Sequence, residues 1–352
     1  MKKNNLQKRP LSFQLNADDF LPADIDEKKE LVIMRESVSY WKDGFKRLMK
    51  KKVPMIALVV IIVVMIFAFI VPSFYPYSYE QQIRGSENLR PFEYSQNEQV
   101  LMSQGEKVFP HIFGTDNLGR DLTIRVMMGT RISLLVGLVA SLIILIIGTI
   151  YGSISGYFGG RVDNVMMRIV DIIYSVPEIL IIIILMVAIK EPLTKLFNTS
   201  SMFDGLSTLG VPLISIFITF SLLYWVSMAR IVRGQVLILK EREYVNAARA
   251  LGAGHTRIIT KHLIPNCIGM IIVTSTLQIP SAIFTESFLS FLGIGVSAPM
   301  PSLGSLAAVA LSGIYSYSYR LIAPAVTLSI IILAFNLLGD GLRDVFDPKL
   351  KE

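Results

Sequence analysis

VPMIALVVIIVVMIFAFIV, Val53 to Val71, runs 19 residues without a charge. A bilayer core about 30 Å thick takes about 20 apolar residues at about 1.5 Å each, so this stretch reads as a membrane span. Similar runs follow at Ile132 to Gly160, about Val165 to Ile189, Val211 to Ala229, about Leu263 to Phe284 and Leu321 to Gly339. They make six spans and an all-α polytopic membrane protein. Ser302 to Ser318 is also uncharged but rich in Ser, Gly and Tyr. It is expected as a surface helix or re-entrant turn buried against protein rather than lipid.

Composition points the same way. Of 352 residues, 52% are hydrophobic and 17% charged, with a mean hydropathy of +0.55. A soluble globular domain carries about 25% charged residues, so an ordinary soluble enzyme is excluded. The single Cys267 excludes an internal disulfide and a Cys-based metal centre. His111, His255 and His262 are scattered outside the spans, and no metal site is expected. The formal charge of +7 lies beside the apolar runs, which favours a lipid surface over nucleic acid. With six spans, 25 of the 34 Lys and Arg residues share a side with both termini. The positive-inside rule then puts both termini in the cytoplasm of a multi-pass cell-membrane protein.

Residues 1–36 read as a polar cytoplasmic tail, expected to be disordered through Glu30, and no cleaved leader is expected ahead of a first apolar run at residue 53. Residues 37–52 place Val38, Trp41, Phe45, Leu48 and Met49 at helical spacing among lysines, which suits an amphipathic helix on the membrane surface with Trp41 at headgroup depth. The first transmembrane helix is assigned to 53–73 and a long extracytoplasmic loop to 74–130. The transmembrane domain is assigned to 131–341, with short cytoplasmic helices within 240–266, and a second cytoplasmic tail to 342–352.

Gly148, Gly152 and Gly156 recur every four residues, a smooth stripe where another helix can approach closely. In the third span Pro177 loosens the backbone and Glu178 brings a carboxylate toward mid-membrane. A charge there costs at least about 2.5–3.5 kcal/mol, so Glu178 is expected either to line a wet pathway or to make a helix-packing hydrogen bond.

KEREYVNAARALGAGHTRIITKHLIPN, Lys240 to Asn266, is too charged to cross a membrane and too regular for a loose loop. Tyr244, Ala247, Ala248 and Leu251 are expected on one face of a short helix, which Gly252 and Gly254 break. A second short helix, about His255 to Leu263, is expected to end near Pro265. The pair would project from the membrane and offer a small-residue face to a groove on another protein.

Glu243-Tyr244-Val245-x-Ala247-Ala248-x-x-x-Gly252, with Pro265 thirteen residues later, resembles the EAA loop of permease subunits of ATP-binding-cassette (ABC) importers. Asn246 replaces the Glu that precedes the Ala pair, and His262 and Ile264 stand before Pro265; this variant is similar to the dipeptide/oligopeptide/nickel branch. FGTDNLGRD (Phe113 to Asp121), GYFGGRVD (Gly156 to Asp163), SFLSFLGIG with PSLG (Ser287 to Gly304) and GDGLRDVFDP (Gly339 to Pro348) resemble further blocks of that branch, in order. The early Trp41 helix resembles the second of its two permeases.

The resemblance implies the type I ABC importer transmembrane fold and import of di- or oligopeptides, with nickel or another small solute as the alternative. It implies that Glu243, Tyr244, Ala247, Ala248, Gly252 and Pro265 couple the chain to ATPase subunits. No Gly is followed by Lys, so the chain lacks the G-x-x-x-x-G-K-[ST] phosphate loop, and ATP with Mg would reside in separate chains. Two ATPase subunits, a homologous permease and an extracytoplasmic solute-binding protein are the implied partners. No catalytic residue or cofactor is expected in this chain. An intramembrane serine protease, with Ser297 as nucleophile, lacks a His at membrane depth, and an ion channel lacks a Thr-Val-Gly-Tyr-Gly-like filter.

Overall fold

One helix organises the computed structural model, which describes residues 40–199, 210–296 and 300–346. This helix, α4 (Leu122–Phe158), has 37 residues and is about 55 Å long at about 1.5 Å per residue. Before it come α1 (Tyr40–Lys50), α2 (Lys52–Phe69) and α3 (Gln96–Ser103). After it come α5 (Gly160–Tyr174), α6 (Glu178–Thr199), α7 (Val211–Leu223), α8 (Trp225–Leu239), α9 (Glu243–Ala250), α10 (His255–Arg257), α11 (Ile264–Phe291), α12 (Leu303–Leu311) and α13 (Tyr319–Phe346). Among the described residues there is no strand, only an isolated bridge between Thr115 and Asp121. The chain up to Phe45 and the chain from Lys46 onward form separate units, and the packing below is that of the second. The tail 1–36, Ser37 to Ser39, the Trp41 side chain, Ser297 and residues 347–352 lie outside the described residues.

Among the described residues five stretches are long and apolar enough to cross a membrane: Lys52–Ser73, Leu122–Phe158, Val211–Leu239, His255–Phe291 and Tyr319–Phe346. The expected third span is not one helix. α5 and α6 meet at 85° across Ser175, Val176 and Pro177, because Pro177 lacks an N–H and its ring drives Val176 from helical geometry. Counted as one broken span, the pair brings the number to six. The helices at the two edges of 131–341 run beyond those residues. α4 starts at Leu122, where the Asp121 carboxylate accepts from the Ile124 N–H at 2.9 Å, and α13 runs to Phe346. The fifth span runs past Phe284 to Phe291 and takes Glu286 inside. α12 is too short to cross and buries Leu303 and Leu306 with Ile279 and Ile283 of α11.

Close approach holds the bundle together. A Cβ on Gly148 would lie 2.5 Å from Met228 Cβ, one on Gly152 would strike the Ala229 carbonyl, and one on Gly156 would lie 2.9 Å from the Arg233 carbonyl oxygen. The stripe is therefore where α4 meets α8. Gly137 does the same toward Ile283 of α11, and Gly129 toward the backbone at Ser302. Lipid tails are as apolar as leucine, so such helices associate through dispersion at short range.

Residues 74–121 fold as a cap on the Leu122 end of α4. Asp116 accepts from the Leu118 and Arg120 N–H groups at 2.8 and 3.1 Å and from Arg120 Nε at 2.7 Å. Gly114 and Gly119 hold positive φ, and a Cβ on either would strike the carbonyl of Leu89 or Ile83. Tyr319 at the start of α13 donates to the Thr115 carbonyl at 3.3 Å.

His111 is fully buried between two carboxylates, with Nδ1 2.7 Å from Asp121 and Nε2 3.1 Å from Glu98, and Tyr77 stacks on its ring. Burial alone would lower its pKa, but the hydrogen bonds and charges of Asp121 and Glu98 outweigh it and raise the pKa above the ordinary value. Burial, together with Glu98 and Asp121, pushes the Tyr77 phenol up to about 12. A raised His pKa gives stability that is full below the unfolded value of about 6.5 and is lost as pH rises through the folded value. Limited proteolysis of residues 74–121 in the solubilised chain should therefore be slower at pH 6 than at pH 9, and His111→Asn should abolish the difference.

Candidate functional site

α8 ends at Leu239, the chain turns through Lys240 to Arg242, and α9 begins at Glu243. Gly252 then adopts φ +80, a left-handed conformation that glycine enters without a Cβ penalty. α10 is one turn and passes into a π-helical stretch, Ile258–Leu263, that continues into α11 with Pro265 in its first turn. The second helix thus does not end near Pro265. The wider π turn tolerates the missing N–H, and the helix carries on as a single 37-residue stretch, His255–Phe291.

The prong has two faces. Val245 and Ala248 are buried inward, as are Ile258 and Leu263. Glu243, Tyr244, Ala247, Gly252 and Pro265 are exposed, and Leu251 at the tip is 88% exposed. Ala248 is therefore not on the outward face with Tyr244, Ala247 and Leu251. Spacings of three and four align 244, 247 and 251, whereas 245 and 248 form the stripe beside it.

The GYFGGRVD block braces this prong. Tyr157 OH lies 2.8 Å from His255 Nδ1, and the Arg249 guanidinium sits over the Tyr157 ring at 5.5 Å. Lys240 Nζ donates to the Gly156 carbonyl at 3.1 Å. Asp163 on α5 accepts from both Nε and Nη2 of Arg233 on α8 and from Ser155 on α4. A bidentate guanidinium–carboxylate pair fixes orientation as well as distance. Both arms of the prong are thus tied to one end of α4.

Two carboxylates lie deeper. Glu178 opens α6 at the α5–α6 break and faces a cavity of about 560 Å³ that it lines with Tyr224, Ser227, Gln278 and Ser281. The Tyr224 hydroxyl donates to Thr285 Oγ1 at 2.7 Å. Glu286, which the sequence reading passes over, is wholly buried in α11 and accepts from Ser133 at 2.7 Å, Ser290 at 2.8 Å and Ser287 at 3.2 Å. Ser290 Oγ in turn accepts from the Val296 N–H at 2.9 Å. A Cβ on Gly295 would strike Ser290, and one on Gly304 would strike the Ser287 carbonyl. The SFLSFLGIG and PSLG blocks are therefore the wall of a hydroxyl cage around one carboxylate. Its signal was a Glu followed by Ser at positions one and four within a long apolar stretch. A fifth span ending at Phe284 stops short of that charge.

Residues 148–352 match the family described as binding-protein-dependent transport system inner membrane component. The chain belongs to this family of permeases. Residues 39–91 match the N-terminal TM domain of oligopeptide transport permease C. The permease is 40% identical over 333 residues to the oligopeptide transport system permease protein OppC of Bacillus subtilis, covering 95% of this chain and 97% of that protein. It is 42% identical over 320 residues to the dipeptide transport system permease protein DppC of the same organism, covering 91% and 89%. It is 37% identical to OppC of Haemophilus influenzae, covering 96% of each.

Removing the carboxylate of this permease's Glu286 strands three buried hydroxyls, at about 1–3 kcal/mol for each unsatisfied group. Thermal unfolding in detergent should show Glu286→Ala markedly destabilised, with Glu286→Gln, which keeps an acceptor, between it and the unmodified protein.

Proposed function

We propose that this permease is one of two homologous membrane subunits of an ATP-driven importer, and that it passes di- or oligopeptides delivered by an extracytoplasmic solute-binding protein. The observation that carries the reading is its likeness, across nearly the whole length of both chains, to permeases named for oligopeptide and dipeptide transport. The clustering of 25 of 34 Lys and Arg residues on the side of the prong supports a cytoplasmic position for α9, α10 and both termini.

In this reading two ATPase subunits hold ATP and Mg, and one seats α9 in a surface groove. The outward face, Glu243, Tyr244, Ala247, Leu251 and Gly252, makes the contact, while Ala248 and Pro265 keep the prong's shape from within and at the root of α11. Closure of the ATPase pair draws the prong inward. The Tyr157–His255 and Arg233–Asp163 links carry that motion to α4 and α5, and the bundle rocks between its two openings. Shifting such an equilibrium from 1:99 to 99:1 takes about 5.5 kcal/mol of differential binding. Glu178 and the polar groups around its cavity line the route, where the other permease would close the open side.

A strain lacking this gene should lose growth on peptides that supply a required amino acid, with nickel uptake unchanged. Loss of nickel uptake with peptide growth intact would replace the peptide reading by the metal one.

Burying a leucine is worth about 1.5–3 kcal/mol, so Leu251→Asp should cut coupled uptake by about tenfold or more while the chain still inserts. Uptake and ATPase activity of the reconstituted complex measure this, and unchanged values for both would count against docking through the prong.

A further inference from the structure

Three membrane stretches meet at one depth. Glu178 stands at the break between α5 and α6, Tyr224 at the junction of α7 and α8, and Gln278 and Ser281 near the middle of α11. The cavity of about 560 Å³ that they line therefore lies near mid-membrane rather than at either surface. We propose that this cavity receives the free ammonium end of a peptide and that Glu178 anchors that group. The assignment rests on the peptide reading above and names the part of the substrate that this chain grips.

The first ground is charge. Glu178 is the carboxylate of the lining, and no Lys, Arg or His lines the cavity among the described residues. Arg230, three residues beyond Ser227, is held by Asp171 at 2.9 Å and lies over the Tyr174 ring at 4.3 Å. The Tyr224 hydroxyl reaches Glu178 and donates to Thr285 Oγ1 at 2.7 Å, but being neutral it leaves the charge unbalanced. α6 begins at Glu178, where the helix dipole favours a negative charge. An ionised group at membrane depth faces a wet cavity and calls for a counter-charge, which in this lining the ligand supplies.

The second ground is the match of donors to acceptors. A primary ammonium has three N–H donors. The Glu178 carboxylate, the Ser227 and Ser281 hydroxyls and the Gln278 amide oxygen are acceptors around one cavity. A transition-metal ion would call for imidazole or thiolate ligands, and this lining has neither.

The third ground is what the substrates share. Di- and oligopeptides differ in their side chains but carry a free ammonium at one end, so a grip on that end serves many sequences. Ile173, Ile181 and Leu223 complete the lining with apolar surface, which accepts a side chain without selecting it by hydrogen bonds.

The test uses the assembled complex in nanodiscs without the solute-binding protein, so that any preference belongs to the membrane subunits. Equilibrium dialysis compares radiolabelled trialanine with N-acetyl-trialanine, whose leading group is neutral. The unmodified complex should hold trialanine more tightly, and Glu178→Gln should shrink that preference by about tenfold or more. Glu178→Asp, which keeps the charge, should restore most of it, and Glu191→Gln, an exposed carboxylate on the same helix, should leave it unchanged. A second measurement needs no variant to fold. Labelling of Glu178 by dicyclohexylcarbodiimide in the unmodified complex, read by mass spectrometry, should be slowed by trialanine and not by the acetylated peptide. The assignment falls if the unmodified complex holds the two peptides equally or holds neither, or if Glu178→Gln keeps the preference. It also falls if Glu191→Gln removes the preference equally, or if both peptides slow the labelling alike. Trialanine uptake with the solute-binding protein added separates this from the peptide reading. No uptake by the unmodified complex would sink both, whereas intact uptake without the preference would sink the ammonium anchor alone.

Discussion

The contact of α4 with α8, made at Gly148, Gly152 and Gly156 where no Cβ intervenes, sets the geometry of everything on that side of the molecule. It brings Arg233 to Asp163 and Lys240 to the Gly156 carbonyl. α9, which follows α8 after a three-residue turn, therefore emerges beside the end of α4 rather than free of it. In hydrocarbon no solvent squeezes helices together, so this placement depends on how near the two backbones can come. Any side chain in the stripe would lever α8 away and carry the prong with it.

Most of the bundle was legible because a membrane span is a composition, and runs such as Val53 to Val71 admit little else. The glycine stripe was legible because a spacing of four defines one helix face whatever lies opposite. What escaped the reading depended on three dimensions. A proline in an apolar run looks alike whether it bends a helix slightly or turns it by 85°, and Pro177 did the latter. Glu286 was missed because the fifth span was taken to end at Phe284, two residues short of it, whereas its carboxylate is matched by hydroxyls from α4 and α11. His111 meets partners ten and thirteen residues away through loop structure that has no period. At the prong, one residue of helical phase separated Ala247, which faces out, from Ala248, which faces in.

The sequence blocks that carried the family resemblance share a physical character. FGTDNLGRD folds into the knot around Asp116 and caps α4, GYFGGRVD braces the prong, and SFLSFLGIG with PSLG walls in Glu286. In GDGLRDVFDP, Gly339 and Gly341 lie against Leu277 and Pro54 without room for a methyl group. Each is a place where backbones cross too tightly for a side chain, or where a charge must be met in full because water is scarce. The long apolar stretches between them can exchange one aliphatic residue for another at small cost.

The break between α5 and α6 has a consequence for the lipid itself. Interrupting a helix frees carbonyl and amide groups, and hydrocarbon offers them no partner. Wherever that flank met lipid, water and headgroups would have to reach down to Ser175 and Val176, thinning the leaflet around it.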